Sequence, residues 1–199
     1  MAFLRRRAVG PALRTERLLL RPPEMDDFLQ WAAVRRGSEA FLRPWEPAWA
    51  RDHLTSRAFR ERVYWAARAI GEGKAYPFFL FRQEDGAFLG AITVDNIRRG
   101  PAMCATVGYW IGAGHARRGY MAEALAATRD FVFGDLGLSR LEAGCLPENA
   151  ASRRLLERCG FKYEGVAQAY LQIAGRWRTH VLYAALRADR RGRIAEAEA

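Results

Sequence analysis

The spacing of apolar and polar residues divides the first half of the chain into helices and strands. Apolar residues recur every three or four positions across residues 24–36, which predicts an amphipathic helix. A second helix is predicted over residues 53–70, after a proline-bracketed loop at 41–47. Strands are predicted at residues 14–21, 76–81 and 88–95, the last two as an antiparallel hairpin around an Asp-Gly turn signal.

In the second half, strand-like and helix-like segments alternate. The periodicity predicts a strand at Cys104–Ile111 and an amphipathic helix at Tyr120–Phe133. Further strands are predicted at residues 138–146, 161–166 and 178–186, and a short helix at 150–159. A meander followed by such alternation is typical of an α/β fold in which helices cover a mixed sheet. We expect a single domain over residues 1–188 and a polar, disordered tail over residues 189–199.

The composition argues against several classes of protein. No apolar run reaches the roughly 18 residues that a membrane-spanning helix needs, and no apolar segment follows the basic start of the chain, as a secretory signal would require. The three cysteines, Cys104, Cys145 and Cys159, lack C-x-x-C spacing, which argues against a disulfide framework or a zinc site and favours buried thiols. We therefore expect a cytoplasmic protein that binds no metal and contacts no membrane.

The formal net charge of +10 raises the question of a nucleic-acid partner. Of 32 basic residues only Lys74 and Lys162 are lysines, and the arginines are spread along the chain instead of forming one stripe. This distribution favours a general preference for arginine in the composition over a dedicated nucleic-acid-binding surface. An acidic or RNA-rich partner such as a ribosomal surface remains an alternative.

A strand, a turn rich in glycine and arginine, and a helix follow one another at residues 107–123, V-G-Y-W-I-G-A-G-H-A-R-R-G-Y-M-A-E. The free N–H groups and the partial positive charge of a helix N-terminus bind anions, and Gly119 lets a phosphate approach the backbone. Arg117 and Arg118 add positive charge. The turn matches neither the Walker loop nor G-x-G-x-x-G, which disfavours nucleoside triphosphates and dinucleotides. Taken alone, it could be a simple turn.

A second constellation lies at residues 147–161, P-E-N-A-A-S-R-R-L-L-E-R-C-G-F. Asn149 is a good helix N-cap, and Ser152 follows in the first turn. In isolation this is a capped amphipathic helix with Leu155 and Leu156 in the core. Next to a phosphate loop, it also suggests a site.

Together these segments resemble the GNAT superfamily of N-acetyltransferases, whose phosphate loop reads Q/R-x-x-G-x-G/A. Here the window is A-R-R-G-Y-M, which departs from the pattern at Ala116 and Met121, and Arg117 can substitute for the missing basic residue. Within the superfamily the chain resembles the ribosomal-protein-alanine N-acetyltransferases, the RimJ/RimL type. The stretches that carry this resemblance are T-E-R-L-L-L-R (15–21), F-L-R-P-W-E-P (41–47), V-G-Y-W-I (107–111), N-A-A-S (149–152) and Y-L-Q-I-A-G-R-W-R-T-H-V-L-Y (170–183).

The resemblance implies a mixed, mostly antiparallel sheet, flanked by helices, in which two central parallel strands splay apart and admit acetyl-CoA. Those strands would be the predicted strands at 104–111 and 138–146. The pantetheine arm would bond to the backbone of Trp110 and Ile111, and Asn149 and Ser152 would lie near the thiol. The pyrophosphate would bind the amides of Arg117, Arg118, Gly119, Tyr120, Met121 and Ala122.

The implied reaction is direct attack of an amine on the thioester, with no covalent enzyme intermediate. Ser152 is the candidate proton donor to the departing thiolate. Glu46 and Glu142 are candidate bases, and each could instead be a positioning or structural carboxylate. A base is less necessary for an N-terminal amine than for a lysine. At pH 7.4 roughly a fifth to a third of an amine with pKa near 8 is neutral, whereas roughly a thousandth of lysine side-chain amines are.

The acceptor site is expected at Trp45, Glu46, Asn96 and Tyr170. We expect an acetyl-CoA dependent N-acetyltransferase, monomeric or homodimeric, that acts on the N-terminal α-amine of a ribosomal or other protein. Three alternatives remain open: an acetyltransferase of an antibiotic, amino acid or polyamine, a catalytically inactive ribosome- or RNA-binding module, and a coenzyme A sensor.

Overall fold

Eight strands lie within residues 10–188, the part of the chain that the computed structural model describes. They are β1 (Leu13–Arg14), β2 (Leu18–Arg21), β3 (Tyr76–Arg82), β4 (Phe88–Arg98), β5 (Cys104–Ile111), β6 (Arg140–Cys145), β7 (Lys162–Ile173) and β8 (Arg176–Leu186). All eight belong to one sheet in the order β1-β2-β3-β4-β5-β6-β8-β7. Only β5 and β6 pair in parallel. The predicted mixed, mostly antiparallel sheet is therefore confirmed.

Five α-helices flank this sheet in the same part of the chain. They are α1 (Phe28–Gly37), α2 (Glu39–Leu42), α3 (Ser56–Gly71), α4 (Tyr120–Phe133) and α5 (Ala150–Arg158), with short 3-10 turns at Met25–Asp27, Arg43–Trp45 and Ala113–His115. Between residues 10 and 188, no helix is long and apolar enough to cross a membrane. The tail predicted at residues 189–199 lies outside the described residues.

The central sheet is buried on both faces. Along β3, Phe78 and Leu80 join the core that packs beneath α4 and α5, whereas Phe79 and Phe81 join a second core beneath α1 and α3. Successive side chains of a strand point to opposite faces, so a strand between two helical layers is apolar at every position. The run Y-P-F-F-L-F-R follows from this constraint.

The parallel pair at the centre of the sheet is short. Register joins β5 to β6 only from Cys104 opposite Arg140 to Thr106 opposite Glu142. Beyond that point β5 stays paired with β4 up to Ile111, and β6 stays paired with β8 up to Cys145. The two strands thus diverge, and the backbone N–H and C=O groups on their facing edges are left for another partner.

Most predicted elements differ from the observed ones by a few residues at their ends, and three differ more. The loop at 41–47 is largely helical, because α2 continues into the 3-10 turn Arg43–Trp45. The run at 14–21 is split into β1 and β2 by a turn at residues 15–17. The edge strand β7 extends to Ile173 past a break in register between Ala167 and Leu171, and its exposed residues lack the apolar alternation that marks a half-buried strand.

Removal of a buried leucine from α4 tests this core. Leu125 is completely buried, so Leu125→Ala should lower the free energy of unfolding by about 2 to 5 kcal/mol. The same substitution at Leu29, which is 77% exposed, should change it by less than about 0.5 kcal/mol. Urea unfolding of both variants measures the difference, and equal losses would contradict the placement of α4 over the core.

Candidate active site

The divergence of β5 and β6 opens a cleft of about 1110 Å³. Its walls are the ends of β5 and β6, the N-terminal turns of α4 and α5, the segment around Trp45, and the tip of the β7–β8 hairpin. All ten residues predicted to bind the cofactor line this cleft: Trp110, Ile111, Arg117, Arg118, Gly119, Tyr120, Met121, Ala122, Asn149 and Ser152. The structure therefore brings the two sequence motifs to one place.

At one end, the loop before α4 has the geometry of an anion site. Gly119 is the N-cap of α4 with a φ of +81°, a left-handed conformation that suits glycine, and it offers no side chain to cap the helix. The N–H groups of the first turn have no acceptor within the helix, so they are free for a ligand. Arg117 also has a positive φ, of +62°, which is uncommon for a residue with a side chain.

The structure explains why Met121 can replace the small residue at the end of the Q/R-x-x-G-x-G/A pattern. Its side chain is 7% exposed and packs into the core beneath α4, so a large apolar residue fits there while the backbone lines the cleft. Ala116 lines the cleft without any charge, and the two arginines that follow it are exposed.

At the start of α5, Asn149 and Ser152 occupy the predicted positions. The Asn149 Oδ1 accepts a hydrogen bond of 3.0 Å from the Ser152 N–H, as an N-cap does. The Ser152 Oγ lies 2.8 Å from the Tyr109 hydroxyl across the gap between the strands. Burial raises the pKa of Tyr109, so this phenol remains protonated at neutral pH.

Tyr109 and Cys145 are cleft residues that sequence reasoning did not assign to the site. A tyrosine in a strand is normally a core residue, and only the facing helix start makes its hydroxyl part of a site. Cys145 is buried at the end of β6, where burial raises the pKa of its thiol. The three cysteines are free and buried, as their spacing predicts.

At the other end of the cleft, Glu46 is held by a buried cation. Arg35 is 4% exposed and donates to both Glu46 carboxylate oxygens, at 2.8 and 2.7 Å. The Trp49 Nε1–H donates to the same carboxylate at 2.8 Å. The Arg35 guanidinium also lies 4.2 Å and 4.5 Å from the ring centres of Trp49 and Trp110. In this cluster the three hydrogen bonds, two of them between charged groups, hold the Glu46 carboxylate in one orientation.

A histidine belongs to the same cluster. The His53 Nε2 lies 3.2 Å from Arg35 Nη2, and its ring stacks on Trp49 at 4.8 Å between centres. Burial, followed by the positive charges of Arg35 and Arg62, lowers the pKa of His53 to about 4. The imidazole is therefore neutral in the folded protein near pH 6.

A backbone hydrogen bond joins the two sides of the cleft near Glu46. The Ala174 N–H, in the turn between β7 and β8, donates to the Glu46 carbonyl at 3.0 Å. Leu171, Ile173 and Trp45 line the cleft beside this bridge. This end of the cleft thus has an apolar rim and a fixed carboxylate.

Tyr170 and His180 lie together beside the exposed position of Gly144. The exposed Tyr170 ring is 5.5 Å from the His180 ring, and its Cε1 would lie 3.5 Å from a Cβ at Gly144. His180 is 3% exposed and its Nδ1 lies 3.0 Å from the Arg178 carbonyl oxygen. Gly144 and His180 both line the cleft, so Tyr170, which contacts them, lies next to it.

Three predicted site residues are not among those that line the cleft: Tyr170, which lies beside it, and Glu142 and Asn96. Glu142 lies in the paired part of β6 and accepts hydrogen bonds from Arg98 at 3.0 Å and Arg140 at 2.7 Å. Asn96, at the irregular end of β4, has a φ of +48° and bonds to Asp95 and Thr106. Both positions precede the point where the strands part, so neither side chain meets Ser152.

Comparison with known proteins identifies relatives of this chain. Residues 17–162 match the family model of the acetyltransferase (GNAT) domain. The chain is 30% identical over 177 residues to Bacillus subtilis probable N-acetyltransferase YjcK, and the alignment covers 89% of this chain and 98% of YjcK. It is 33% identical over 172 residues to Escherichia coli [ribosomal protein uS5]-alanine N-acetyltransferase, and the alignment covers 86% of this chain and 89% of that one. The solved structure of Mycobacterium smegmatis RimJ in complex with CoA-disulfide superposes with a TM-score of 0.81 at 31% identity, covering 88% of this chain and 86% of that one.

The low pKa of His53 predicts a loss of stability in acid. Between its ordinary value of 6.5 and its folded value of about 4, the unfolded chain binds a proton that the folded chain does not. Stability should therefore fall as the pH drops from 6.5 towards 4, by about 1 kcal/mol at this half-buried position. Urea unfolding across this pH range should show a smaller loss for His53→Gln than for the wild type, and parallel profiles would contradict the assignment.

Proposed function

The chain belongs to the GNAT acetyltransferase family, and from that premise we propose that it transfers the acetyl group of acetyl-CoA to the N-terminal α-amine of a protein. A ribosomal protein is the acceptor class that the E. coli relative's name suggests. The observation that carries the catalytic part of the proposal is the Tyr109–Ser152 pair at 2.8 Å, placed where two splayed strands and two helix starts meet.

Coenzyme A fits the residues present. An amide-rich pantetheine arm would pair with the open backbone edge at Trp110 and Ile111, and the pyrophosphate would bind the amides between Arg117 and Ala122. The thiol end would then lie between Tyr109 and Ser152. This assignment is supported by the cleft volume of about 1110 Å³, which exceeds the size that a small ligand requires.

Acetyl-CoA supplies a thioester, which an amine attacks to form an amide while the sulfur leaves as a thiolate. The thiolate takes up one proton, and the amine nitrogen loses one. A hydroxyl has one hydrogen to donate and two lone pairs, so Ser152 can accept from Tyr109 and donate its own hydrogen into the cleft. We assign Ser152 as the donor to the thiolate and Tyr109 as the group that orients it.

The carboxylates of the cleft favour an acceptor amine that is already neutral. Among the described residues that line it, the only carboxylates are Glu46, which three donors occupy, and Glu148, which pairs with Arg178. A lysine amine needs a base to become neutral near pH 7, whereas a substantial share of α-amines is neutral there. We therefore assign Glu46 to positioning the acceptor amine, and water to removal of its proton.

The acceptor assignment can be tested by coenzyme A release. Peptides with a free N-terminal Ala or Ser should support turnover, and the same peptides with an acetylated N-terminus and an internal lysine should not. Turnover confined to small amines or to lysine side chains would overturn the N-terminal acceptor and keep the enzyme. Acetyl-CoA binding without turnover on any amine would favour a sensor, and salt-dependent RNA binding without acetyl-CoA consumption would favour an RNA-binding module.

Substitutions test the proton donor. Ser152→Ala should lower kcat about 10- to 100-fold, because the thiolate loses its donor, with the Kd for acetyl-CoA changed less than about twofold. Tyr109→Phe should lower kcat less, and the double variant should be no worse than Ser152→Ala, because the two hydroxyls act as one unit. Steady-state kinetics and titration calorimetry measure both quantities. Ser139→Ala and Tyr163→Phe change exposed residues and serve as matched controls. An unchanged kcat in Ser152→Ala would remove Ser152 as the donor.

A further inference from the structure

The turn between β1 and β2 is tied to the first turn of α4. The Glu123 carboxylate accepts from the Arg17 backbone N–H at 2.8 Å, from the Arg17 Nε at 2.7 Å and from the Thr15 hydroxyl. The Arg17 Nη2 is 2.7 Å from the same carboxylate. Thr15 and Arg17 are separated from Glu123 by more than 100 residues, so this contact is made by tertiary structure alone.

Arg17 also lies against residues 118–120, where the loop ends and α4 begins. Its Nη1 donates to the Arg118 carbonyl at 3.1 Å, and its guanidinium lies 4.8 Å from the centre of the Tyr120 ring. A Cβ added at Gly119 would lie 3.3 Å from the Arg17 Nη2. The side chain of Arg17 is 43% exposed and is not among the residues that line the cleft. Arg17 therefore contacts the loop on the side that faces away from the cleft.

The contact with the Arg118 carbonyl sets the direction of a neighbouring amide. In a trans peptide the C=O of one residue and the N–H of the next point to opposite sides. Because the Arg118 C=O points at Arg17, the Gly119 N–H points away from Arg17, and Gly119 itself lines the cleft. Anchored by Glu123, Arg17 thereby fixes a donor at the site where the pyrophosphate is placed.

We propose that Arg17 is a positioning residue for phosphate recognition: clamped by Glu123, it holds the Arg118–Gly119 peptide with its N–H turned towards the pyrophosphate of coenzyme A. This inference rests on the proposed placement of coenzyme A in the cleft. It assigns a binding role to an arginine that lies outside the phosphate-loop motif, about 100 residues earlier in the chain.

The test compares a ligand that carries phosphates with one that has none. Arg17→Ala should raise the Kd for coenzyme A about tenfold, the loss expected for one charge-assisted contact, and leave the Kd for pantetheine within about twofold of the wild type. Titration calorimetry measures coenzyme A directly and pantetheine at millimolar concentration, and no acceptor or turnover is needed. Arg14→Ala, in the same turn region but hydrogen-bonded to Gln83, should bind both ligands as the wild type does.

Two further variants keep the test decisive if Arg17→Ala unfolds. Arg17→Lys keeps the charge but cannot bridge Glu123 and the Arg118 carbonyl with one planar group, so it should show the same selective loss. Glu123→Gln should share the defect, and its combination with Arg17→Ala should add little. Equal losses for both ligands, or no loss for coenzyme A, would overturn the role of Arg17. Failure of the wild-type protein to bind coenzyme A at all would instead overturn the proposed function.

Discussion

The structure depends on the early parting of β5 and β6. Each strand has a second partner, β4 for β5 and β8 for β6, and those antiparallel ladders continue after the parallel pairing has stopped at Thr106 and Glu142. Beyond those two residues the facing edges of β5 and β6 do not pair with each other. A buried backbone edge without partners is unfavourable, which makes this gap a site for a ligand that carries its own amides.

The chain path then brings two helix starts to the same gap. Both α4 and α5 follow a strand of the parallel pair, so both begin near the ends at which those strands separate. The amides of α4 face one part of the cleft without a side-chain cap, and the start of α5 is capped by Asn149, whose neighbour Ser152 meets Tyr109. One helix start is thus left open for an anion, and the other is closed and presents a hydroxyl.

Much of this arrangement could be predicted from local sequence. The bounds of α4 and the cap at Asn149 follow from periodicity and capping chemistry, which depend on near neighbours. Tyr109 could not be recognised, because its role depends on a helix that begins 41 positions later in the chain. The displacement of Glu142 and Asn96 from the cleft depends on where the ladder stops, and strand periodicity says nothing about that point. The residues predicted as base or acceptor contacts were therefore harder to place in the cleft than those predicted to bind the cofactor.

The backbone hydrogen bond between Ala174 and Glu46 has a consequence for the shape of the gap. The three β5–β6 pairs join the two strands at one end of the gap. This bond joins the β7–β8 turn to the segment at Glu46, so the cleft is bridged there as well. A single hydrogen bond contributes only about 1 kcal/mol, so this one resists separation of the two segments weakly. A ligand that forced these two segments apart would therefore lose about fivefold in affinity through the loss of this bond.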